Sequence, residues 1–406
     1  MRYPFTPEWL DAAPEPIAER FRALEDTVIQ EIARQLTQGK ELNESSIQRI
    51  RVLRSLGLDM DVIEKAVAET AGISVSELDA LLDDAVRRNE QYYGGLLDQA
   101  GMTAPDVLAG AEDLEAIRRQ TQDELVNLTQ SMGFMVRQGG KRVLLEPGKA
   151  YQWALDQAEL EGLSGATGYN QAISRAVREL AAGGVKKVRY ESGHVDQIDV
   201  AARRAVMTGV GQTCDRYTEQ AIESLGTDLV EVSAHGGARS TGSGPENHAS
   251  WQGKVYRWAA KPRTSRGSYP DFERVTGYGT GPGLGGWNCR HRFFPFVEGV
   301  SQRAYTDREL REIDPRPFVY QGRTYNAYEA TQKQREIERT VRKLTREQKA
   351  FEAAGLSEDA QAASIRARRL RKEYREFSAA AGLKTQPERM KVLYVDEKST
   401  AAASRK

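Results

Sequence analysis

Apolar residues recur every three or four positions through the first third of the chain, which predicts a run of amphipathic helices. From Pro16, a residue suited to a first turn, Ile17, Phe21, Leu24, Val28, Ile32 and Leu36 share one helical face that should end near Gly39. Ile47, Ile50, Leu53 and Leu56 mark a second helix opening around Asn43 and closing before Gly57. A third is expected over residues 59–72, and a fourth from Ser74-Val75-Ser76-Glu77, whose spacing matches a capping box. A long polar helix should then occupy residues 112–134.

Past residue 140 the pattern changes. Short strand-like runs, KRVLL and VKKVRYES, mix with helical ones, AYQWALDQAEL and YNQAISRAVREL, and Ser192-Gly193 fits a hairpin turn. DVAARRAVMTGVGQTCDRYTEQAIESLG reads as a long helix, followed by the β-rich run DLVEVSAH. From Pro245 to Gly299 the chain is loop-rich, and in TGYGTGPGLGGWNCRH about two residues in five are glycine. The same region holds Trp251, Tyr256, Trp258, Tyr269, Phe272, Tyr278, Trp287 and Phe293. Disordered linkers are poor in aromatic residues, so this segment is expected to be an ordered loop that packs closely on something. After a short hairpin, FVYQGRTYNAYEA, two stripes follow: Ile337, Val341, Leu344 and Phe351, then Ile365, Leu370, Tyr374 and Phe377. Gly355 separates them, predicting an antiparallel helix pair, with STAAASRK as a frayed end. The fold class is therefore α+β. Residues 1–135 form a helical N-terminal region, 136–300 a central α+β domain with the glycine- and aromatic-rich loop, and 301–406 a hairpin plus a C-terminal helical hairpin.

Composition narrows the class. The 406 residues are 39% hydrophobic and 29% charged, and no uncharged apolar run approaches the ~18 residues a membrane helix needs. The opening MRYPFTPEWLDAAPEP lacks the basic patch and apolar core of a signal peptide, so the protein is expected to stay where it is made or leave only inside a particle. The net charge is zero, but by counting, residues 1–110 sum to −9 and residues 301–406 to +8. Arg366, Arg368, Arg369, Arg371 and Lys372 concentrate the basic end, a candidate contact for phosphate or an acidic partner, although a solvated helical face explains the run as well. A DNA-reading helix near AGISVSELDALL is disfavoured, because Glu77, Asp79, Asp83 and Asp84 precede Arg87 and Arg88.

Candidate chemistry clusters late. His235, His248, Cys289 and His291 have the donor types zinc prefers, but Cys-x-His on an extended strand points its side chains to opposite faces. Ligation of one ion by both therefore needs a sharp turn between them. Buried, hydrogen-bonded histidines organising a loop-rich core is the plainer alternative. Cys289 could instead act as a nucleophile with Asp271 or Glu246 behind a histidine. Cys214 and Cys289 lie far apart and are read as reduced thiols. No phosphate-cradling loop is present, and the Gly277, Gly279, Gly283 spacing, interrupted by Pro282, is no dinucleotide signal.

Taken in order, HVDQIDVAARRAVMTGVGQT, VEVSAHGGAR, NHASWQGKVY, YPDFERVTGYGTGPGLGGWNCRHRFFPFVEG, YNAYEATQKQREIERTVRKL and GLKTQPERMKV resemble the phage minor capsid protein 2 family. That family is related to the F-like head-morphogenesis proteins of phage Mu. The likeness covers most of the chain and is weakest before about residue 110. It implies a structural, non-catalytic protein of the tailed-phage head, present in a few copies at the portal vertex. The implied partners are the portal protein, other capsid proteins and packaged viral DNA, with no membrane. The implied roles are head assembly and DNA packaging or ejection. The family's signature falls on Arg239, His248, Gly253, Lys254, Asn288, Cys289, Arg290, His291 and Pro295, with structural roles and no catalytic residue. No cofactor is implied, and zinc on the His/Cys set stays open. The competing class is an ejected effector enzyme, a metal-dependent hydrolase or nuclease built on that set.

Overall fold

The computed structural model describes residues 4–37, 46–99, 101–102, 110–163, 169–187 and 195–393. In chain order its elements are α1 (Pro7–Ala12), α2 (Glu15–Leu36), α3 (Ser46–Leu56), α4 (Asp61–Gln99), α5 (Ala111–Gln130), β1 (Met132–Gln138), β2 (Lys141–Leu145), α6 (Pro147–Leu163), α7 (Tyr169–Gly183), β3 (Val185–Lys187), α8 (Ile198–Leu225), β4 (Leu229–Val232), α9 (His248–Trp251), β5 (Val255–Arg257), α10 (Phe272–Thr276), β6 (Phe293–Phe296), α11 (Asp307–Glu312), β7 (Phe318–Tyr320), β8 (Arg323–Tyr325), α12 (Ala327–Ala353) and α13 (Ser357–Ala380). This is the expected α+β class, helix-dominated with small antiparallel sheets. No described helix is long and apolar enough to cross a membrane.

Much of the helical periodicity is realised. All six residues of the first stripe, Ile17 to Leu36, are buried on α2. Several expectations are corrected. The break at Gly72 and the capping box at Ser74 do not exist, because α4 runs through both. Its buried positions Ile63, Ala66, Thr70, Ser74, Leu78, Leu82, Ala85, Asn89, Tyr93 and Leu97 keep helical spacing throughout, and that unbroken stripe overrides the local stop signals. The helix expected over 112–134 ends at Gln130, because Met132, Gly133 and Phe134 pair with β3 and Phe134 also pairs with β2. On α13, Ile365 is 38% exposed, and the buried face instead runs through Ala360, Ala363, Ala367, Tyr374 and Phe377. The helix start at Asn43, the turn at Ser192-Gly193 and the end STAAASRK lie outside the described residues.

The chain groups into two compact units, neither a continuous stretch. The first comprises Met1–Ile17, Val75–Glu124 and Arg203–Gln332. Its sheet has the order β5-β4-β6, with β4 central, antiparallel to both neighbours and buried along its whole length. Around it, Tyr93 and Leu97 of α4 pack on Tyr217 and Ala221 of α8, with the Tyr93 and Thr218 hydroxyls 2.6 Å apart. The acidic run on α4 serves packing, since Arg118 of α5 pairs with Asp79 (2.8 Å) and with Asp83. The β7–β8 hairpin turns at Gln321 and Gly322, both with positive φ, as a two-residue primed turn requires.

The second unit comprises Ala18–Ser74, Leu125–Ala202 and Lys333–Lys406. Its sheet, β2-β1-β3, is covered by α6 and α7, which also pack on each other, and α3 packs on α6. Helices α12 and α13 run antiparallel around Gly355, bridged by Arg366–Glu347, Arg371–Thr345, Tyr374–Glu338 and Gln334–Ser378. Charge is buried among these helices. Glu25 accepts from Arg342 (2.6 Å) and from the Val185 amide (2.9 Å), and it pairs with Arg346 (2.6 Å). Burial alone would raise its pKa, but the guanidiniums of Arg346 and Arg342 outweigh that and hold it below the ordinary value. Neighbouring Asp26 lies 3.5 Å from Arg342 and accepts from the Leu393 amide. There burial wins over Arg342, Glu25 adds to it, and the carboxyl is pushed up from 3.8 to about 7.

A carboxyl with a higher pKa folded than unfolded holds its proton more tightly in the folded chain. Asp26 therefore contributes most below pH 4, and its contribution is lost as pH rises toward about 7. Asp26→Asn should raise stability at pH 8 by about 1–3 kcal/mol in urea unfolding, with the gain gone by about pH 4. A gain independent of pH would show that desolvation of Asp26 is not its cause.

Candidate functional site

The candidate residues meet in the first unit, in a loop that folds on itself before reaching β6. Asp271 caps α10 by accepting from the Arg274 amide (2.7 Å), and Gly277 ends that helix in the left-handed conformation. The following backbone doubles back. Leu284 N–H donates to Thr276 O (2.9 Å), Trp287 N–H to Gly281 O (2.7 Å) and Cys289 N–H to Gly286 O (3.1 Å). Carbonyls approach so closely that a Cβ on Gly283 would overlap the carbonyl of Gly277, and one on Gly286 that of Gly281. Only glycine leaves room at these two positions.

This loop closes over an aromatic core. Phe293 has the rings of Trp258, Phe272 and Tyr278 at 5.6, 5.1 and 4.9 Å, in tilted or edge-on arrangements. Buried polar ends are satisfied: Trp251 Nε1 donates to Pro245 O (3.0 Å), Trp258 Nε1 to Glu273 (3.1 Å) and the Tyr256 hydroxyl to Trp251 O (2.7 Å). Leu284 and Cys289 of the loop pack into the same cluster as Trp251, Trp258, Phe272 and Phe293.

His248, Cys289 and His291 come together, at 4%, 2% and 0% exposure, with one ligand atom from each lying within 4.8 Å of the others. The left-handed backbone at Asn288 (φ 56°) supplies a sharp turn just before Cys289, and Cys289 Sγ stands 3.6 Å from His291 Nδ1. The proton positions follow from the partners. The backbone N–H of His235 can only donate, so the Gln252 atom 3.0 Å from it is the oxygen. His291 Nε2, 3.0 Å from that same oxygen, therefore carries the hydrogen, and its Nδ1 presents a lone pair to Cys289. His248 Nε2 likewise donates to Pro282 O (2.9 Å). His235 stays outside the trio: its ring stacks on His291 with centroids 4.3 Å apart and its Nδ1 donates to Gly236 O.

Electrostatics keep the imidazoles neutral. Burial lowers His291 well below its ordinary pKa, with the other two histidines, Arg290 and Arg292 adding to the effect. Burial and Arg290 bring His235 down to about 4. Burial also raises the Cys289 thiol, against the pull of Arg292, which makes it a poor nucleophile as it stands. Asp271 is committed to its cap, and among the described residues no hydrogen bond joins it or Glu246 to the trio.

The remaining signature positions build the frame. Arg239 donates to Pro282 O (3.4 Å) and Trp287 O (3.2 Å), gathering loop carbonyls beside His248. Gly253 takes a left-handed turn after α9 against Leu310, and Lys254 Nζ donates to Ser250 O (2.6 Å). Arg290 lies 4.0 Å from Asp11, and Asn288 is exposed. Pro295 sits on the edge strand β6, where a missing N–H is tolerated. The basic run is elsewhere, on α13. Arg366 and Arg371 reach toward α12, whereas Arg368, Arg369 and Lys372 are exposed, Lys372 being 3.7 Å from Glu376.

Gln252, Ser233, Asp215 and Arg292 belong to this site without having been singled out in the sequence. Ser233 Oγ accepts from the Arg292 amide (2.9 Å), and Arg292 pairs with Asp215 (3.7 Å). Burial, opposed by Arg292, lifts Asp215 to about 6. Asp215, Arg292, Tyr278, Trp287 and Cys289 line a cavity of about 410 Å³ bounded by the glycine-rich loop. Ser233, Gln252 and Arg292 lie within the family-like segments, but like Asp215 each is an ordinary polar residue whose partner is remote in sequence.

A family model described as “Phage minor capsid protein 2” matches residues 5–379. A relative named “Structural protein”, from Lactococcus phage LL-H, is 24% identical over 313 residues, which is 76% of this chain and 78% of that protein. No solved structure matches the chain.

Gly283→Ala and Gly286→Ala should each destabilise the protein by about 2–4 kcal/mol in urea unfolding, because the added methyl meets backbone that cannot move aside. Gly279→Ala, at a left-handed position facing open space, should cost only about 1 kcal/mol. Equal effects at all three would mean that the close approach does not hold the loop.

Proposed function

The chain belongs to the phage minor capsid protein 2 family, and we propose that it is a minor head protein seated at the portal vertex, acting in head assembly without catalytic turnover. A structural role in the phage virion is common ground with its relative. The observation that carries the non-catalytic part is the burial of His248, Cys289 and His291 within the aromatic core, with their N–H groups satisfied by Pro282 and Gln252. Groups held in this way keep a loop in place. The exposed cations Arg368, Arg369 and Lys372 on α13 are assigned to the phosphates of packaged DNA, and the portal and neighbouring capsid proteins are the protein partners. Assembly takes place in the host cytoplasm.

The competing enzyme reading, a metal-dependent hydrolase or nuclease built on the His/Cys set, draws on the cavity of about 410 Å³ that Cys289 lines together with Asp215, which burial raises to about 6. The structural reading predicts that purified protein leaves DNA and peptide substrates intact, and that Asp215→Asn changes stability alone.

Mild disruption of virions followed by sedimentation should bring the protein down with the portal ring, and recovery with tails or evenly with the major shell would refute the placement. Reversing Arg368, Arg369 and Lys372 to glutamate should weaken duplex DNA binding and reduce the slope of log affinity against log salt by about 2–3. An unchanged slope would assign α13 to protein or solvent.

A further inference from the structure

We infer that Cys289, His291 and His248 form a binding site for a zinc-type divalent ion that clamps the glycine-rich loop to α9. The donor set is one thiolate sulfur and two imidazole nitrogens, which suits zinc. With Zn–S near 2.3 Å and Zn–N near 2.05 Å, a tetrahedral site has an S···N edge of about 3.6 Å, and Cys289 Sγ to His291 Nδ1 is 3.6 Å. The left-handed turn at Asn288 leads the loop into Cys289 and His291, whose side chains an extended Cys-x-His pair would send apart. All three ligand atoms lie within 4.8 Å of one another, wider than tetrahedral edges, so closing the set requires the side chains to draw together.

The surroundings are arranged as an outer shell for such an ion. Ligating histidines donate their second nitrogen to an oxygen, which fixes the tautomer and aims the lone pair. His291 does so to Gln252 and His248 to Pro282. Gln252 is itself held by the His235 amide, so its oxygen cannot turn away. The cost of nearby guanidiniums to a cation is reduced by Asp215 against Arg292 and by Asp11 against Arg290. On binding, the Cys289 proton leaves to solvent and the sulfur bonds to the metal, with no redox change. Three protein ligands leave the fourth position to water, and Cys289 lines the adjoining cavity. His235 does not ligate. The ion would link two segments far apart in sequence, at a point where α9 is only one turn long.

The test uses the full chain stripped with chelator, shown folded by circular dichroism, then loaded with Zn²⁺ or Co²⁺ and desalted. About one equivalent of metal per chain is expected, with a thiolate-to-cobalt charge-transfer band and the visible bands of a four-coordinate ion. Cys289→Ser should abolish the charge-transfer band, Cys214→Ser should keep it, and Gln252→Leu should weaken zinc affinity about 10- to 100-fold. If Cys289→Ser does not fold, the wild-type cobalt spectrum with Cys214→Ser still decides. A folded wild-type chain that retains no metal, or a charge-transfer band that follows Cys214, overturns the inference. Neither result bears on placement at the portal, which virion sedimentation reads separately.

Discussion

The first unit depends on one steric fact: backbone passes backbone at Gly283 and Gly286 with no space for a side chain. That contact lets the loop after α10 turn tightly enough to present the Pro282 carbonyl to Arg239 and His248, and then to lower Cys289 and His291 beside β4. Glycine in a loop is entropically costly to order. Here the cost is met by the aromatic cluster around Phe293, which buries large rings against the loop and leaves few of their polar ends unpaired. The glycine-rich segment is thereby a closely packed part of the unit.

The second unit is held differently. Its helices bury Glu25 and Asp26 among Arg342 and Arg346, and although burial raises both carboxyls, the arginines outweigh it only at Glu25. Glu25 has two guanidiniums and an amide, so it stays ionised; Asp26 shares what is left. Buried ion pairs seldom add much net stability, but breaking one strands a charge. The arrangement therefore favours one alignment of α2, α12 and β3 over sliding alternatives, in helices whose surfaces are otherwise rich in interchangeable alanines and arginines.

Periodic features were legible in the sequence. The α2 stripe, α6, α8 and the Gln321-Gly322 hairpin follow directly from spacing and turn chemistry. Local punctuation misled where tertiary pairing outweighed it, as at Gly72 and Ser74 within α4 and at Met132–Phe134, which β2 and β3 draw into a sheet. Ile365 was misplaced because alanines form the first half of the buried face of α13, with Tyr374 and Phe377 completing it. At the site, residue type was enough to single out His248, Cys289 and His291, but not to separate them from His235, which stacks beside them. Gln252 could not be found that way. Its importance comes from accepting two hydrogen bonds, one of them from a residue 39 positions away, and nothing in its own neighbourhood records that.

The central claim is that the stretch from Thr276 to His291 is a rigid packing element. Amide hydrogen exchange on the isolated protein tests it most directly. The account predicts that Leu284, Trp287 and Cys289, whose N–H groups are bonded within the loop, exchange as slowly as the amides of β4, in the same cooperative opening. Exchange of these three amides on the timescale of a free loop, with β4 still protected, would contradict it.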